Sequence, residues 1–160
     1  MISEFKLALE KLNSKNFRDR FHFEYIIDGV NLKDIIDVKY GYNSFIEENK
    51  FVGWINDGID LKNLEYSAQI LKREKINNPL STDDIQLLNY DFGSKIPIYT
   101  CECGDIYCTG LMVDVAISGN KITWDFGDKV MPILIFDLDE YRKEIDSKIK
   151  EFKRNKYNNT

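Results

Sequence analysis

The sequence predicts an α+β fold in which an antiparallel β-meander is packed by an N-terminal and a C-terminal helix. Two patterns carry this prediction. Apolar residues alternate with polar residues between Ile96 and Phe126, and an apolar stripe at helical spacing follows over residues 141–152. A chain of 160 residues suits a single domain over residues 1–160. The Asn-rich end at 155–160 is expected to fray.

The N-terminal segment predicts the first of these helices. Four apolar residues recur at helical spacing over residues 3–13: Phe5, Ala8, Leu9 and Leu12. Ser3 is placed to act as the N-cap. We therefore expect this segment to lay one apolar face on the sheet.

An alternating strand is predicted over residues 21–27, with Phe21, Phe23 and Tyr25 facing inward. Asp28-Gly29 is a hairpin-type turn dipeptide, so residues 30–32 are expected to return as a short strand. His22 alternates with the inward aromatic residues. It is therefore expected on the outer surface, and not as the base of a catalytic dyad.

The middle of the chain contains one clear helical pattern. Residues 33–60 are weakly patterned and are expected to form loops with short elements. A helix is predicted over residues 61–75 and ends before Asn77-Asn78-Pro79, because a residue that precedes proline avoids helical geometry. Residues 81–88 begin with capping residues and predict one further short helix.

Strands dominate the region that follows, and four are expected: residues 96–103, 111–117, 122–126 and 133–136. Gly119-Asn120 is a two-residue hairpin turn between the second and third of them. Sequential strands joined by short turns form an antiparallel meander.

The final helix has the clearest signals. Asp137 and Glu140 fit a capping box, and an apolar stripe follows that is predicted to pack on the sheet: Tyr141, Ile145, Ile149 and Phe152. Residues 140–160 contain seven basic and four acidic side chains, whereas the rest of the chain has a net charge of −8. We interpret the basic end as complementing the helix dipole and not as a nucleic-acid-binding tail.

The overall charge limits the classes of partner. The formal net charge is −5 and the pI about 5.0, which argues against a generally basic nucleic-acid-binding protein and allows a basic protein partner. The first residues lack a basic segment followed by a long apolar one, and no window approaches the roughly 18 consecutive apolar residues of a membrane span. A cytoplasmic protein without a membrane partner is expected.

Three cysteines lie close together at Cys101, Cys103 and Cys108. Their odd number and clustering argue against a disulfide scaffold and for reduced thiols. Because Cys101 and Cys103 are two apart on a strand, their thiols share a face, and a turn at Gly104-Asp105 could return Cys108 towards them. Small buried structural residues are the favoured interpretation. A zinc site, which needs a fourth ligand, and a reactive thiol remain open alternatives.

Complete catalytic motifs are not found in the sequence. It contains no glycine-rich phosphate loop and no GxSxG element. The adjacent acidic pairs Glu47-Glu48 and Asp83-Asp84 favour a solvated surface over paired acid and base catalysis, because neighbouring helical residues point to different faces.

The cysteine segment resembles a group of uncharacterised bacterial proteins with a CxCGDxGC-type motif. The matching residues are Ile98-Tyr99, Cys101, Cys103-Gly104-Asp105, Cys108, Val113, Val115, Ile122, Trp124 and Phe126. Residues 23–29 and Gly53-Trp54 also match in order. The sequence departs from the group at Tyr107, where the group has glycine, and at Thr109. The resemblance implies no particular activity.

The general profile is similar to that of the immunity proteins of contact-dependent growth inhibition systems, which are small, often acidic, single-domain binding proteins. This similarity implies a protein that neutralises a toxin, for example a nuclease domain, by forming a complex with it. Five acidic residues are the candidate contacts: Glu47, Glu48, Asp83, Asp84 and Asp91. The alternative is a zinc- or thiol-dependent enzyme, or a zinc-stabilised structural protein, that uses the three cysteines.

Overall fold

The computed structural model describes seven stretches of the chain: residues 1–11, 21–36, 51–55, 61–74, 95–101, 111–127 and 131–157. Eight strands lie in these stretches: β1 (Phe5–Lys11), β2 (Phe21–Ile27), β3 (Val30–Asn31), β4 (Phe51–Gly53), β5 (Lys95–Cys101), β6 (Leu111–Ser118), β7 (Lys121–Asp125) and β8 (Leu134–Asp137). The helices there are α1 (Leu32–Asp34), α2 (Leu61–Lys72) and α3 (Leu138–Tyr157).

The strands form two antiparallel sheets, one of three strands in the order β1-β2-β3 and one of five in the order β4-β5-β6-β7-β8. The predicted α+β class and the meander are thus confirmed. β5 to β8 follow one another in space as they do in sequence, and Gly119 takes a positive φ of 61° in the turn between β6 and β7. The predicted helix over residues 61–75 is also confirmed, as α2. The predicted short helix at 81–88 lies outside the described residues.

The predicted N-terminal helix is wrong, because residues 5–11 form strand β1. Phe5 and Leu7 are buried on one face, and Leu9 is exposed. Seven residues of β1 pair with β2, from Phe5 opposite Ile27 to Lys11 opposite Phe21. The apolar spacing fits both periods over so short a segment, and the pairing with β2 decides between them. Ser3 does not cap a helix; its N–H donates to the carbonyl of Ile135 at 2.7 Å.

The two sheets are joined at both edges by backbone hydrogen bonds. At one edge the N–H of Ser3 reaches the carbonyl of Ile135 on β8. At the other, the segment after β4 lies between the sheets: the N–H of Phe23 donates to Ile55 at 3.0 Å, and that of Trp54 donates to Ile98 at 2.9 Å. The two sheets therefore enclose one core, and these bonds pair backbone groups at both edges.

Aromatic residues from both sheets fill that core. Trp124 lies at its centre, with ring centroids 5.5 Å from Tyr25, 5.6 Å from Phe5 and 5.3 Å from Phe136. All three contacts are edge-to-face, a geometry that the charge distribution of aromatic rings favours. The alternation predicted for β2 and β7 thus places Tyr25 and Trp124 on the faces that line the core.

α3 packs across β1, β8 and α2 through the predicted apolar stripe. Tyr141 and Ile145 are fully buried, and Ile149 and Phe152 are less than a tenth exposed. The N-cap half of the predicted capping box is present, since the N–H of Glu140 donates to Asp137 Oδ1 at 2.9 Å. No hydrogen bond of the described residues returns from the Asp137 N–H to the Glu140 carboxylate. α3 continues to Tyr157, within the stretch that is expected to fray.

α3 also caps the C-terminus of α2. The hydroxyl of Tyr141 donates to the carbonyl of Leu71, and the guanidinium of Arg142 donates to those of Lys72 and Arg73. These carbonyls have no partner within α2, so the contacts satisfy groups that a helix end leaves open. The buried Lys72 is paired with Asp146 at 2.5 Å.

Ile145 provides a test of the packing of α3. Its side chain is fully buried, so Ile145→Ala should destabilise the protein by about 2–5 kcal/mol in chemical denaturation. Ile133→Ala is the matched control, because Ile133 is 54% exposed and should change stability by less than about 0.5 kcal/mol. Equal effects of the two substitutions would contradict the packing described for α3.

Gly53 provides a second test, at the junction between the sheets. A Cβ at position 53 would lie 1.9 Å from the backbone oxygen of Phe23, so Gly53→Ala must push β2 away from β4. We expect a loss of about 3 kcal/mol or more in denaturant titrations, at the upper end of overpacking effects. Gly29→Ala controls for glycine replacement: its Cβ would meet no atom within 4 Å, and only its φ of 82° opposes it, at about 1 kcal/mol. A smaller loss at position 53 than at position 29 would contradict the close approach.

Candidate functional site

An open groove of about 510 Å³ lies between the N-terminal segment and the first turns of α3. Ile2 to Lys6 form one wall, and residues of β8 and α3 from Phe136 to Ser147 form the other. Strand β1 and helix α3 are neighbours because both pack on the same aromatic core. The groove is the surface seam between them.

Hydrogen bonds hold the two walls of the groove together. The N–H of Ser3 donates to Ile135 on β8, and the N–H of Leu7 donates to Glu144 Oε2 on α3 at 2.8 Å. Lys6 adds an ion pair, with its Nζ 3.8 Å from Glu144 Oε1. The shape of the groove is therefore set before any partner binds.

Buried aromatic rings form the floor of the groove. Phe5 and Tyr141 lie 4.5 Å apart, and the rings of Phe136 and Tyr141 are stacked at 5.8 Å with an interplanar angle of 14°. All three residues are less than a tenth exposed. The floor is formed by packed rings, and the chemistry offered to a partner comes mainly from the side chains at the rim.

The rim is acidic. Four carboxylates and two lysines line the groove: Glu4, Asp137, Glu140, Glu144, Lys6 and Lys143. Asp137 is engaged as the helix cap and Glu144 holds Leu7, whereas Glu4 and Glu140 are exposed and their carboxylates form no ion pair among the described residues. The groove thus presents a net negative charge with two carboxylates available to a cationic partner.

The charge of α3 changes along its length. Residues 137–146 contain five acidic and two basic side chains, and residues 147–157 contain one acidic and five basic. Acidic residues stabilise the N-terminus of a helix and basic residues its C-terminus. The helix dipole therefore accounts for the acidic first turns of α3 as well as for its basic end. The acidic first turns are the part of α3 that borders the groove.

A second polar cluster lies inside the molecule, between β2 and the segment that follows β4. His22 is only 5% exposed, so its expected position on the outer surface is wrong. Both faces of β2 are covered at this point: Phe23 packs on Phe152 of α3, and His22 contacts the backbone of Gly53. Glu24, the next residue on the same face as His22, is completely buried.

The acidic residues predicted to bind a partner lie outside the described residues: Glu47, Glu48, Asp83, Asp84 and Asp91. Cys103 and Cys108 do so as well. Cys101 is the last residue of β5, and its backbone lies opposite Phe51. Within the described stretches, no group of three or more His, Cys, Asp or Glu side chains is arranged to hold a metal ion.

The groove was not predicted from the sequence. The capping box pointed to Asp137 and Glu140, but the net positive charge of the final helix obscured the acidic character of its first turns. Glu4 could not be placed beside them, because its segment was expected to be helical. The long-range pairing of β1 with β2 creates this arrangement, and no local pattern encodes it.

No protein-family model, no curated protein and no solved structure matches this chain. The described stretches contain no helix with the length and apolar character needed to cross a bilayer.

The cysteines lead to a direct prediction. We expect native mass spectrometry to give the mass of the metal-free chain, and alkylation without reductant to modify all three thiols after unfolding. One zinc ion per chain that is removed by a chelator and lost in Cys103→Ser would contradict this and favour a zinc site. A mass deficit from a disulfide would contradict the expected reduced state.

Proposed function

We propose that the protein is a binding protein of the immunity type, which neutralises a toxin that carries a basic surface, such as a nuclease domain, by forming a complex with it. The acidic groove between the N-terminal segment and α3 is the observation that carries the proposal. It adds a defined surface to the acidic character of the whole chain, whose net charge is −5.

Charge complementarity supports a nuclease as the partner. An enzyme that cleaves nucleic acid attracts phosphates with lysine and arginine side chains, and an acidic protein surface competes for the same cations. Glu4 and Glu140 are exposed at the rim and have no ion pair within the described stretches. They can pair with such cations without first breaking an interaction there.

The contacts across the groove favour binding. Its walls are fixed by the bonds from Ser3 to β8 and from Leu7 to Glu144, and its floor is formed by packed rings. A surface that is already ordered loses little conformational entropy on binding. Complementary charge at its rim mainly accelerates association, and the acceleration decreases as salt screens the charges.

The test begins with the neighbouring genes: a large protein encoded beside this one would supply its C-terminal domain as the candidate toxin. We expect co-expression to relieve its toxicity and the purified chain to retain it in a pull-down. If the domain is not retained and toxicity is not relieved, the proposal is wrong. Substrate turnover that depends on Cys101, Cys103 or Cys108 would instead favour the zinc- or thiol-enzyme alternative.

Charge reversal then locates the surface. Glu4→Lys combined with Glu140→Lys should lower the association rate by about tenfold or more at low salt, with a smaller effect at high salt. Each single reversal, Glu4→Lys or Glu140→Lys, has Glu151→Lys as its matched control, which makes the same change in charge at an exposed position on the basic half of α3, away from the groove. Reversal of Asp83 and Asp84 tests the surface expected from the sequence. If the reversal of Asp83 and Asp84 slows association and the reversal of Glu4 and Glu140 does not, the protein still binds the toxin, but the groove is not the binding site.

A further inference from the structure

Three residues of β2 bind across the junction between the two sheets. The hydroxyl of Tyr25 donates to the carbonyl of Ile98 at 2.7 Å, His22 accepts from Gly53, and Glu24 accepts from Tyr99. Two of these three residues are titratable near neutral pH, and both are buried. Their protonation states therefore affect how well the sheets are held together.

The geometry at His22 selects the neutral ring. Its Nδ1 accepts the N–H of Gly53 at 3.0 Å, so this nitrogen carries no proton. The ring proton then resides on Nε2, which lies 3.4 Å from Glu10 Oε2. Protonation of Nδ1 would break the bond from Gly53 and place a charge in a buried site.

The geometry at Glu24 selects the protonated acid. Oε1 accepts the hydroxyl of Tyr99 at 2.6 Å and makes a long contact of 3.4 Å with the N–H of Lys33. Oε2 is buried and has no hydrogen-bond partner among the described residues. An ionised carboxylate would leave this oxygen without compensation, whereas a proton on the carboxyl group removes the charge.

The neighbouring groups modify these preferences without reversing them. Burial lowers the pKa of His22 from 6.5 to about 4, and Lys33 acts in the same direction, whereas a hydrogen bond with the backbone of Phe23 opposes the shift. Burial raises the pKa of Glu24 from 4.5 to about 7; the Tyr99 hydroxyl and Lys33 oppose this shift, and Glu10 adds to it. Tyr99 remains a donor throughout, because burial raises the pKa of its own hydroxyl well above 10. The segment from Phe51 to Ile55 contributes no titratable side chain.

We propose that His22 and Glu24 form a compensated pair: folding displaces a proton from His22 and places a proton on Glu24. The junction between the sheets therefore stays uncharged at mildly acidic pH, and folding neither binds nor releases a net proton at these two positions. The pair makes the fold insensitive to pH at the position where a buried charge would separate its two sheets.

The sign of each contribution follows from proton binding in the folded and unfolded chain. Between pH 4 and 6.5 the unfolded chain binds more protons at position 22, so His22 makes stability rise with pH. Between pH 4.5 and 7 the folded chain binds more protons at position 24, so Glu24 makes stability fall with pH. The two ranges overlap from 4.5 to 6.5, and the two slopes cancel there.

The first experiment is an NMR titration of the unmodified protein. His22 is the only histidine in the sequence, so its ring nitrogens need no further assignment. We expect a neutral ring with its proton on Nε2 down to about pH 4, and a Glu24 carboxyl carbon that titrates near pH 7. A ring that titrates near 6.5 or a carboxyl group that titrates near 4.5 overturns the proposal.

The second experiment separates the two members of the pair. Glu24→Gln imitates the protonated acid. As the pH rises from 4.5 to 6.5, the unfolding equilibrium constant of this variant should fall, relative to that of the unmodified protein, by nearly tenfold per pH unit. His22→Asn keeps an acceptor for the N–H of Gly53. Over the same rise in pH, the unfolding equilibrium constant of this variant should rise, relative to that of the unmodified protein, by a similar factor per pH unit. Glu151→Gln, the same change on an exposed side chain, should follow the unmodified protein.

Unchanged slopes in both variants overturn the compensation. If His22→Asn does not fold, Glu24→Gln and the titration of the unmodified protein decide the matter alone. These measurements need no partner, so they are independent of the binding function proposed above.

Discussion

The junction at which β2 meets the segment 51–55 is the constraint on which the rest of the structure depends. Backbone bonds from Phe23 to Ile55 and from Trp54 to Ile98 join the sheets there, and Gly53 allows the approach because a Cβ would lie 1.9 Å from the Phe23 oxygen. The aromatic core around Trp124 is enclosed only because this edge and the edge at Ser3 are both joined. The same closeness buries His22 and Glu24, so the polar chemistry of the interior is a consequence of the way the sheets close.

Much of the fold could be predicted from the sequence, because its strands and helices have faces of contrasting polarity. The alternation through β6 and β7 and the stripe from Tyr141 to Phe152 each have one arrangement that buries most of their apolar side chains, although Ile117 near the end of β6 is exposed. β1 was predicted incorrectly because its segment carries both periods: Phe5, Ala8 and Leu9 recur at helical spacing, whereas Phe5, Leu7 and Leu9 alternate as in a strand. The pairing with β2 decides between them. His22 was misplaced for a related reason, since alternation assigns a residue to a face of a strand but cannot show that both faces are covered.

The candidate site was harder to predict because it is formed by elements that are distant in sequence. Glu4 and Glu140 border one groove only after β1 pairs with β2 and α3 packs on both β1 and β8. The acidic residues expected from the sequence lie in segments with weak apolar patterning, which indicates an exposed surface but not the shape of that surface. Patterning can locate charge along the chain, but a groove depends on how the folded elements are placed side by side.

The acidic residues of the groove divide into those that the fold uses and those that it leaves available. Asp137 caps α3, and Glu144 binds the backbone of Leu7 across the seam, so replacing either would disturb the walls as well as the charge. Glu4 and Glu140 have exposed side chains at the same rim. A surface built in this way can exchange its exposed charges to fit a new partner, while the two engaged carboxylates preserve its shape. This division of roles suits an immunity-type protein, whose specificity must follow its toxin while its fold stays constant.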